Sequence, residues 1–426
     1  MLKALTGGRL LDPAQGLDQE GTLLIDIKTG LIKDIIFMDP PAEAEIVSVS
    51  GHLVVPGFID LTCRPGSVNA RSLASLGRAA ASGGYTGITI LPDVIPPLTD
   101  ELRLSGLIKL ARANSPVHFY PVGALSRNLE GAELADIGSL VDAGARALSD
   151  GKKWIINSQL LSLSLRYAGA FNRPLFVYPE DPNLSAGGLI REGAVATRLG
   201  LPAIPAVAEE VAVARDLLLA RATGGQLHFT HLSTSGAVAL LAQAQKQGVR
   251  TTAAALASHL ILTCDNITDY NTNFKLDPPL GEKKDQKALI ACLNDGTLTA
   301  ITTNHTPVAP EKKDVEFAAA AWGGSFLRHT FPLLYTKLVR TGKLDLATLI
   351  TKLTTGPAQI LGLNQAGTLK PGIPADVTVI DLNATHTINA NDLPLTERNT
   401  PFLDWKLSGW PVLTMVNGDI VFQKQH

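Results

Sequence analysis

Apolar positions in the central part of the chain alternate between short β-rich runs and longer stretches with helical period. Eight such runs occur in order: LVVPGFIDLT, TGITILPDV, PVHFYPVGA, ARALSDG, PLFVYPE, QLHFTHLST, RTTAAALASH and LTAITTNHT. The intervening stretches include SLASLGRAAASGG, VAEEVAVARDLLLARATGG and SGAVALLAQAQKQG, each ending in glycine, a common helix stop. Strands that alternate with helices predict parallel βα units, and eight in order predict a (β/α)8 barrel, an α/β fold.

The two ends of the chain follow a different pattern. Residues 1–55 contain short apolar runs broken by turns, and GTLKPGIPADVTVIDL and WPVLTMVNGDIVFQKQ near the other end look similar. Asn417-Gly418 between two apolar runs is a strong hairpin signal. We therefore expect residues 1–54 and 358–426 to form one composite β-sandwich domain beside a barrel of residues 55–357.

Composition supports a globular chain and excludes several classes of partner. The 426 residues exceed one barrel of roughly 250 residues, and 45% are hydrophobic and 18% charged. A net charge of −2 without a basic block argues against nucleic acid or an anionic membrane as partner. No signal peptide or membrane-length apolar run is evident, and the three cysteines are widely spaced, so we expect a reducing, cytoplasmic location.

Polar side chains cluster where the predicted barrel strands end. Active sites of (β/α)8 barrels lie at the carboxyl ends of the strands, and no GxGxxG or P-loop motif favours a doubly wound sheet instead. His228 and His231 are three apart in one strand, so the alternation of side chains predicts that only one faces the barrel axis. His231, beside the loop, is the better candidate.

Five motifs occur in the order seen in dihydroorotases: PGFID, AAASGGYTGITILPD, HFTHLSTSGAV, YNTNFKLDPPL and ITTNHTP. The chain resembles that family over nearly its whole length. The resemblance implies an amidohydrolase barrel with a flanking β-sandwich. Active members of the family use this fold to interconvert carbamoyl aspartate and dihydroorotate with one or two zinc ions. Such chemistry needs imidazole and carboxylate ligands around a metal-bound hydroxide, and an aspartate that moves the proton.

This sequence departs from the family pattern at most of the metal positions. Thr62 stands where the first histidine of His-x-His is expected, and Tyr178 stands where the fifth strand should end in a histidine. Asn304 replaces the aspartate that is both ligand and proton shuttle, so the resemblance implies no catalytic residue. Asp150 or Lys152 matches the bridging position of the fourth strand, and His231 matches a retained ligand. We expect no bound metal, with Asp150 and His231 as relics of the site.

The substrate positions are also altered. Asn273 matches a substrate-contacting residue, and Arg64 and His259 are further relics of the pocket. Gly281 replaces an arginine, and Asp93 replaces an asparagine. A carboxylate at that position is expected to repel an acidic substrate.

Simpler explanations exist for several of these residues. His231 is expected to be hydrogen-bonded within a polar barrel mouth, and Asp150, Lys152 and Lys153 to form a solvated turn. A packing role is expected for His259, and likewise for His118, His305 and His329. Tyr178 is expected to fill a vacated cavity with apolar bulk, and a new polar site formed by Tyr178 and Glu180 is the alternative. Cys63 has no recognisable base to activate it as a nucleophile.

Two functional hypotheses follow from the resemblance. In the first, the chain is a pseudoenzyme, closest to the non-catalytic dihydroorotase homologue that assembles with the aspartate carbamoyltransferase catalytic chain as a hetero-oligomer in pyrimidine biosynthesis. It then needs no cofactor. In the alternative, it is an active dihydroorotase or related cyclic amidohydrolase with a reduced, mononuclear zinc site. A catalytic zinc needs about three protein ligands, and the sequence supplies fewer, which favours the first. A different reaction in the remodelled pocket is a third interpretation.

Overall fold

A computed structural model describes residues 1–424 and places strands where both terminal patterns predict them. The amino-terminal part contains β1 (Leu2–Asp12), β2 (Leu17–Asp26), β3 (Leu31–Ile36), β4 (Glu45–Ser48) and β5 (Leu53–Pro56). The predicted domain range 358–426 extends two residues beyond the described part of the chain.

Eight parallel strands follow and form the barrel predicted from the sequence. Their order around the sheet is their order along the chain. A separate pair of two-residue strands, β11 (Ile190–Arg191) and β12 (Ala203–Ile204), interrupts the series. The barrel strands are β6 (Phe58–Cys63), β7 (Tyr85–Ile90), β8 (His118–Ala124), β9 (Ala147–Ser149), β10 (Leu175–Val177), β13 (Leu227–Leu232), β14 (Thr251–Leu256) and β15 (Ala300–Thr302).

Each of the eight predicted runs contains one barrel strand, which confirms the fold class. The first run holds two strands, because LVVP forms β5 in the terminal sheet and FIDL begins β6 in the barrel. All residues of β6 and β7 are buried, as expected for parallel strands covered on both faces. β6 and β15 meet through a single bridge between Cys63 and His305, so the barrel is nearly closed.

Helices cover the outside of the barrel at the predicted positions. The alanine-rich segments form α1, α6 and α7, and the last residues of these helices precede glycine closely. The complete set is α1 (Ala70–Ser82), α2 (Glu101–Asn114), α3 (Ile137–Asp142), α4 (Ser158–Ala170), α5 (Ala194–Leu199), α6 (Val207–Thr223), α7 (Ser235–Lys246), α8 (Ala257–Ile261), α9 (Lys283–Asn294), α10 (Thr330–Leu334), α11 (Leu346–Leu353) and α12 (Thr355–Ile360). Among residues 1–424, no helix combines the length and the apolar character needed to cross a membrane.

The carboxyl-terminal strands complete the sheet begun at the amino terminus. These are β16 (Val377–Thr387), β17 (Lys406–Val416) and β18 (Asp419–Gln423), and the sheet order is β18-β17-β16-β5-β1-β2-β3, with β4 beside β1. Asn417 and Gly418 have φ angles of 49° and 81°, which confirms the predicted hairpin turn. The terminal segments therefore share one additional β-sheet domain, whose predicted boundaries stay a prediction.

Contacts between the sheet and the barrel hold the two parts together. The Thr378 hydroxyl donates to the carbonyl of Gly84 at 2.6 Å, and the Thr414 hydroxyl donates to that of Ala81 at 2.7 Å. Inside the barrel, Ile59, Leu61, Val122 and Phe176 belong to one apolar cluster, which the residues of α12 join. This filled interior leaves the strand ends as the place where polar chemistry can occur.

Candidate functional site at the carboxyl end of the barrel

Asp60 joins the first and last strands of the barrel at its carboxyl end. One carboxylate oxygen accepts from the Thr302 hydroxyl at 2.8 Å and the Thr303 amide at 2.7 Å, and the other accepts from the Thr303 hydroxyl at 3.0 Å. Burial raises the pKa of this fully buried carboxyl, and hydrogen bonds from Cys63, Thr302 and Thr303 oppose the rise. Asp60 therefore supplies hydrogen bonds where regular pairing between β6 and β15 is lacking.

Cys63 is part of the same seam, where its thiol is buried beside Asp60. Its thiol donates to Asp60 at 2.9 Å. Burial, followed by the negative charge of Asp60, raises the pKa of the Cys63 thiol well above its usual value. A thiolate is therefore strongly disfavoured at this position.

Thr62 and Asn304, two positions of lost ligands, also face each other across this seam. The Thr62 hydroxyl lies 2.6 Å from the Thr302 hydroxyl and accepts from the backbone amide of Asn304 at 3.1 Å. Asn304 has a φ of 50°, in the left-handed region that asparagine tolerates better than most residues. Its side chain accepts from Arg64 and donates to the carbonyl of Asp277 at 2.6 Å. Both side chains are thus fully engaged by the protein itself.

Arg64 extends across the barrel and pairs with Asp93. Its Nε lies 3.2 and 3.1 Å from the two carboxylate oxygens, and its guanidinium also donates to Asn304. The Lys152 amide donates to Asp93 at 3.2 Å as well. The buried Arg64 therefore balances the charge of Asp93, and the expectation that this carboxylate repels an acidic substrate stays a prediction.

Asp277 is a further carboxylate at this end and binds Lys152 and Tyr178. The Lys152 ammonium lies 2.5 Å from one carboxylate oxygen, and the Tyr178 hydroxyl donates to the other and also lies 3.2 Å from Glu180. Burial would raise the pKa of Asp277, but the charge and hydrogen bond of Lys152 outweigh it and lower the pKa to about 2. Tyr178 therefore uses its hydroxyl and does not fill the space with apolar bulk alone.

These six side chains form one connected set, which we call the mouth network: Arg64, Asp93, Lys152, Tyr178, Asp277 and Asn304. Two cations are matched by two carboxylates, and an amide and a phenol complete the hydrogen bonds. The sequence prediction of a solvated turn is wrong for Lys152, which is only 30% exposed and ion-paired.

Asp150 is likewise buried and not in a solvated turn. Its carboxylate accepts from the Leu125 amide at 3.1 Å, the Ser126 amide at 2.8 Å and the Ser126 hydroxyl. Burial raises the pKa of Asp150, and the hydrogen bonds from Ser126 oppose that rise. Asp150 therefore fixes the loop that follows β8. Lys153 donates to the Leu129 carbonyl at 2.8 Å and holds the same loop.

His231 lies beside the mouth network without a hydrogen bond to either ring nitrogen within the described residues. Its ring packs edge-on against Tyr178, with centroids 5.4 Å apart. Burial, reinforced by the charge of Arg64, lowers its pKa to about 3. The prediction of a hydrogen-bonded histidine is wrong, because its neighbours are an aromatic ring and cations.

A β-bulge explains why the alternation argument for the two histidines fails. Between Phe229 and Leu232, β13 uses one residue more than its partner β14. His228 packs on Phe176 of the interior cluster, with ring centroids 4.5 Å apart, and its Nδ1 lies 2.9 Å from the Thr252 hydroxyl. Both histidines therefore lie on the barrel interior, His228 deep and His231 at the mouth.

The four other histidines for which a packing role is expected are each held by neighbouring groups. The His259 Nε2 lies 3.1 and 3.3 Å from the Pro278 and Pro279 carbonyls, and burial lowers its pKa to about 4. The His305 Nδ1 accepts from the Phe326 amide at 3.0 Å. His329 contacts Thr400, and His118 pairs with Asp376. Each lone pair or N–H so used is unavailable to a metal.

Two substrate-related positions have structural explanations. A side chain at Gly281 would meet Asp285 Oδ2 at 2.9 Å and the Ser233 carbonyl at 3.0 Å, so an arginine does not fit without rearrangement. Asn273 lies in a short 3-10 turn, where its backbone amide donates to the side-chain oxygen of Asn271 at 3.0 Å. No hydrogen bond connects the Asn273 side chain to the mouth network in the described part of the chain.

Zinc does not fit the residues at this site. Across residues 1–424, no three His, Cys, Asp or Glu side chains cluster closely enough to hold a metal ion. His231 has free nitrogens, yet the charges of Arg64 and Lys152 act on it, and both would repel a divalent cation. A catalytic zinc needs about three protein ligands, and two of the nearby carboxylates, Asp93 and Asp277, are committed to these cations.

Asp60 and Asp277 occur in the motifs PGFID and YNTNFKLDPPL, but no role in the site was predicted for either residue. The same holds for two buried lysines near the mouth. Lys275 donates to the carbonyls of Phe317 and Ala318 at 2.9 and 2.8 Å, and Lys313 donates to that of Thr272 at 2.9 Å. A lysine within or beside a loop motif is a sequence feature from which such hydrogen bonds to loop carbonyls could have been predicted.

Comparison with known proteins places this geometry in a family. A family model described as dihydro-orotase-like matches residues 51–237, and the amidohydrolase family model matches residues 185–421. A protein named dihydroorotase from Syntrophus aciditrophicus is 41% identical over 424 residues, with 99% of each chain covered. Another so named, from Pelotomaculum thermopropionicum, is 38% identical over 423 residues, with 98% of each covered.

Solved structures of similar shape include the L-hydantoinase (dihydropyrimidinase) from Arthrobacter aurescens. It superimposes with a TM-score of 0.88 at 24% identity, covering 100% of this chain and 97% of that one. The dihydropyrimidinase from Brevibacillus agri has a TM-score of 0.83 at 20% identity, covering 99% and 95%. At these identities the likeness shows the fold alone, and it agrees with the barrel and the additional sheet described above.

Proposed function

Because this chain belongs to the dihydroorotase-like family of amidohydrolases, we propose that it is a non-catalytic member that acts in pyrimidine biosynthesis as a cytoplasmic structural partner of the aspartate carbamoyltransferase catalytic chain. The observation that carries the proposal is the mouth network, in which two cations and two carboxylates neutralise one another where a zinc site would need free donors. The partner is the part of the proposal that rests on family resemblance.

The proposed inactivity concerns one step of the dihydroorotase reaction, the transfer of a proton during ring opening. Ring opening needs a nucleophilic hydroxide and a base that moves the proton. Asn304 cannot take up a proton, and both ends of its amide are engaged by Arg64 and by the Asp277 carbonyl. A base added at this position by mutation would meet the Arg64 guanidinium first and form an ion pair with it.

Preservation of the scaffold supports a role outside the pocket. The barrel strands, the Asp60 seam and the sheet contacts are all well packed although the metal positions have changed. A chain retained for its surface needs this stable frame but not the zinc ligands. Assembly into a hetero-oligomer with aspartate carbamoyltransferase is the role that fits the resemblance.

The catalytic half of the proposal is tested by zinc content and activity. The purified chain is dialysed against zinc, washed, and measured by elemental analysis, and dihydroorotate ring opening is followed before and after metal addition. A zinc-containing dihydroorotase is the positive control. We expect less than about one tenth of an equivalent of zinc and no turnover, since fewer than three ligands are available. Stoichiometric zinc with turnover contradicts the proposal.

A specific observation keeps the mononuclear enzyme as the second candidate. His231 has two unpartnered nitrogens, as a ligand awaiting a metal would. If this candidate is correct, zinc binds to the wild-type chain and is lost in His231→Leu, while the control His228→Leu retains it. Equal, negligible zinc in all three chains rejects the candidate.

The assembly half is tested by mixing the chain with the aspartate carbamoyltransferase of the same organism and measuring molecular mass by light scattering. We expect a complex of defined mass and a change in transferase activity or stability. A transferase from an unrelated organism serves as the control. Separate migration of the two chains, with transferase activity unchanged, contradicts this half.

A further inference from the structure

A cavity of about 560 Å³ opens at the amino end of the barrel, at the opposite end of β8 from the mouth network. Its walls come from α2, the first residues of β8, the turn before β9 and the β17–β18 turn. We call it the amino-end cavity. Its polar lining includes Lys109, Arg112, His118, Tyr120, Arg146 and Asn417.

The charges in this cavity are unbalanced. The exposed Lys109 and Arg112 and the half-buried Arg146 line it, and none of the lining residues is acidic. In the part of the chain that the structure describes, no carboxylate lies within 4.0 Å of any of these three cations. Arg173 adds a fourth positive charge behind Arg146, and burial together with that neighbour lowers the pKa of Arg173. Like charges held together without a counter-ion favour an anion.

A carboxylate behind the cavity wall already has partners of its own. Asp376 lies 2.9 Å from the His118 Nε2, and its other oxygen accepts from the Asn417 amide at 2.9 Å. Burial alone would lower the pKa of His118, but the hydrogen bond to Asp376 raises it. The pair therefore contributes an imidazole edge to the cavity wall and does not neutralise the arginines.

An aromatic surface lies beside the cations. The rings of His118 and Tyr120 are nearly parallel, with centroids 6.1 Å apart and an interplanar angle of 29°. Gly87 on the adjacent strand allows this arrangement, because a side chain there would overlap the Tyr120 ring. The cavity thus combines a cationic side with a flat, partly apolar side.

We propose that the amino-end cavity binds a small phosphate-bearing molecule, with its phosphate on Arg112 and Arg146 and its organic part against His118 and Tyr120. Guanidinium groups match phosphate oxygens in charge and geometry, and Lys109 adds a point charge at the rim. The volume lies within the roughly 300 to 1,000 Å³ of small-molecule sites. The proposal does not depend on the mouth network or on the proposed partner.

The test is calorimetric titration of the full chain with inorganic pyrophosphate, at constant ionic strength set with chloride. Arg112→Gln/Arg146→Gln is expected to weaken binding at least about tenfold, since two charge-assisted contacts are lost. The matched control is Arg166→Gln, which removes an exposed arginine from α4 outside the cavity. It is expected to bind as the wild type does. Unchanged melting temperatures show that all variants are folded.

A second variant separates a cavity site from general surface attraction. Ser105→Trp keeps every cation and fills the cavity from α2, so it is expected to abolish binding, and a nucleoside diphosphate should lose at least as much affinity as pyrophosphate. The proposal is overturned if pyrophosphate fails to bind the wild type. Equal weakening by Arg166→Gln, or full binding by Ser105→Trp, overturns it as well.

Discussion

At the carboxyl end of the barrel Arg64 and Lys152 each contact a carboxylate, whereas at the amino end Arg112 and Arg146 contact none within the described residues. Both ends are polar, and both contain buried or half-buried cations. The carboxyl end pairs these two cations with Asp93 and Asp277, which removes both carboxylates as donors for a metal. At the amino end, Arg112 and Arg146 have no carboxylate partner among the described residues, and the cavity that they line is open to a ligand. Internal pairing of charge, and not polarity as such, therefore distinguishes the two ends.

The largest expected effect tests the internal pairing at the carboxyl end. Asp277→Ala removes the partner of Lys152 and Tyr178, so the ammonium is left without its counter-charge. We expect the free energy of unfolding to fall by about 3 to 5 kcal/mol in a urea titration. Asp314→Ala, at an exposed aspartate without an ion pair, is the control and should change it by less than about 0.5 kcal/mol. A loss below about 1 kcal/mol for Asp277→Ala would show that the pairing is weak.

A smaller effect is expected at His231, the exception to the pairing at this end. The pKa of His231 is lowered to about 3 in the folded chain. Below about pH 6.5 this imidazole therefore takes up a proton in the unfolded chain but not in the folded chain. The contribution of the neutral His231 to the free energy of unfolding is therefore fully present above the pKa of the unfolded chain, and it is lost as the pH falls below that value. Relative to pH 8, the wild type should lose about 2 kcal/mol at pH 5 that His231→Leu does not lose.

Parallel urea titrations at the two pH values measure this difference. His259→Leu is the comparison, because that ring has hydrogen-bond partners and its loss should also destabilise the chain at pH 8. If His231→Leu is destabilising at pH 8 and keeps the acid sensitivity of the wild type, the histidine has a partner in solution.

The smallest effect is expected at the amino end. Arg146→Gln removes no ion pair and relieves repulsion with Arg173, so we expect the free energy of unfolding to stay within about 0.5 kcal/mol of the wild type. The measurement is the same urea titration in phosphate-free buffer. A loss above about 1.5 kcal/mol would mean that Arg146 is bound internally, and the contrast between the two ends would not hold.

The fold was largely predictable, because burial on both faces gives each barrel strand a recognisable apolar run. The failures are local. LVVPGFIDLT reads as one run, but Gly57 separates strands of two different sheets. The assignment of His228 and His231 to opposite faces assumed regular alternation, and a bulge in β13 removed it. Neither event changes the apolar pattern, so neither was visible in it.

The candidate site was predictable in what it lacks and not in what replaced it. The predicted losses at Thr62, Tyr178 and Asn304 rest on residue identity and on the family resemblance, because these side chains cannot substitute for imidazole or aspartate. Their new partners depend on which strand ends meet. Asp150 and Lys152 were expected in a solvated turn, yet one caps the loop after β8 and the other pairs with Asp277.

The amino-acid sequence by itself determined the βα order, the terminal sheet segments and the chemical incapacity of the ligand positions, since these depend on local periodicity and on side-chain chemistry. Only the tertiary structure decided that Arg64 and Lys152 neutralise Asp93 and Asp277, and that Lys109, Arg112 and Arg146 line one cavity without a carboxylate. The physical reason is that electrostatic energy depends on distance and burial, and the barrel brings together charges that are far apart in the chain.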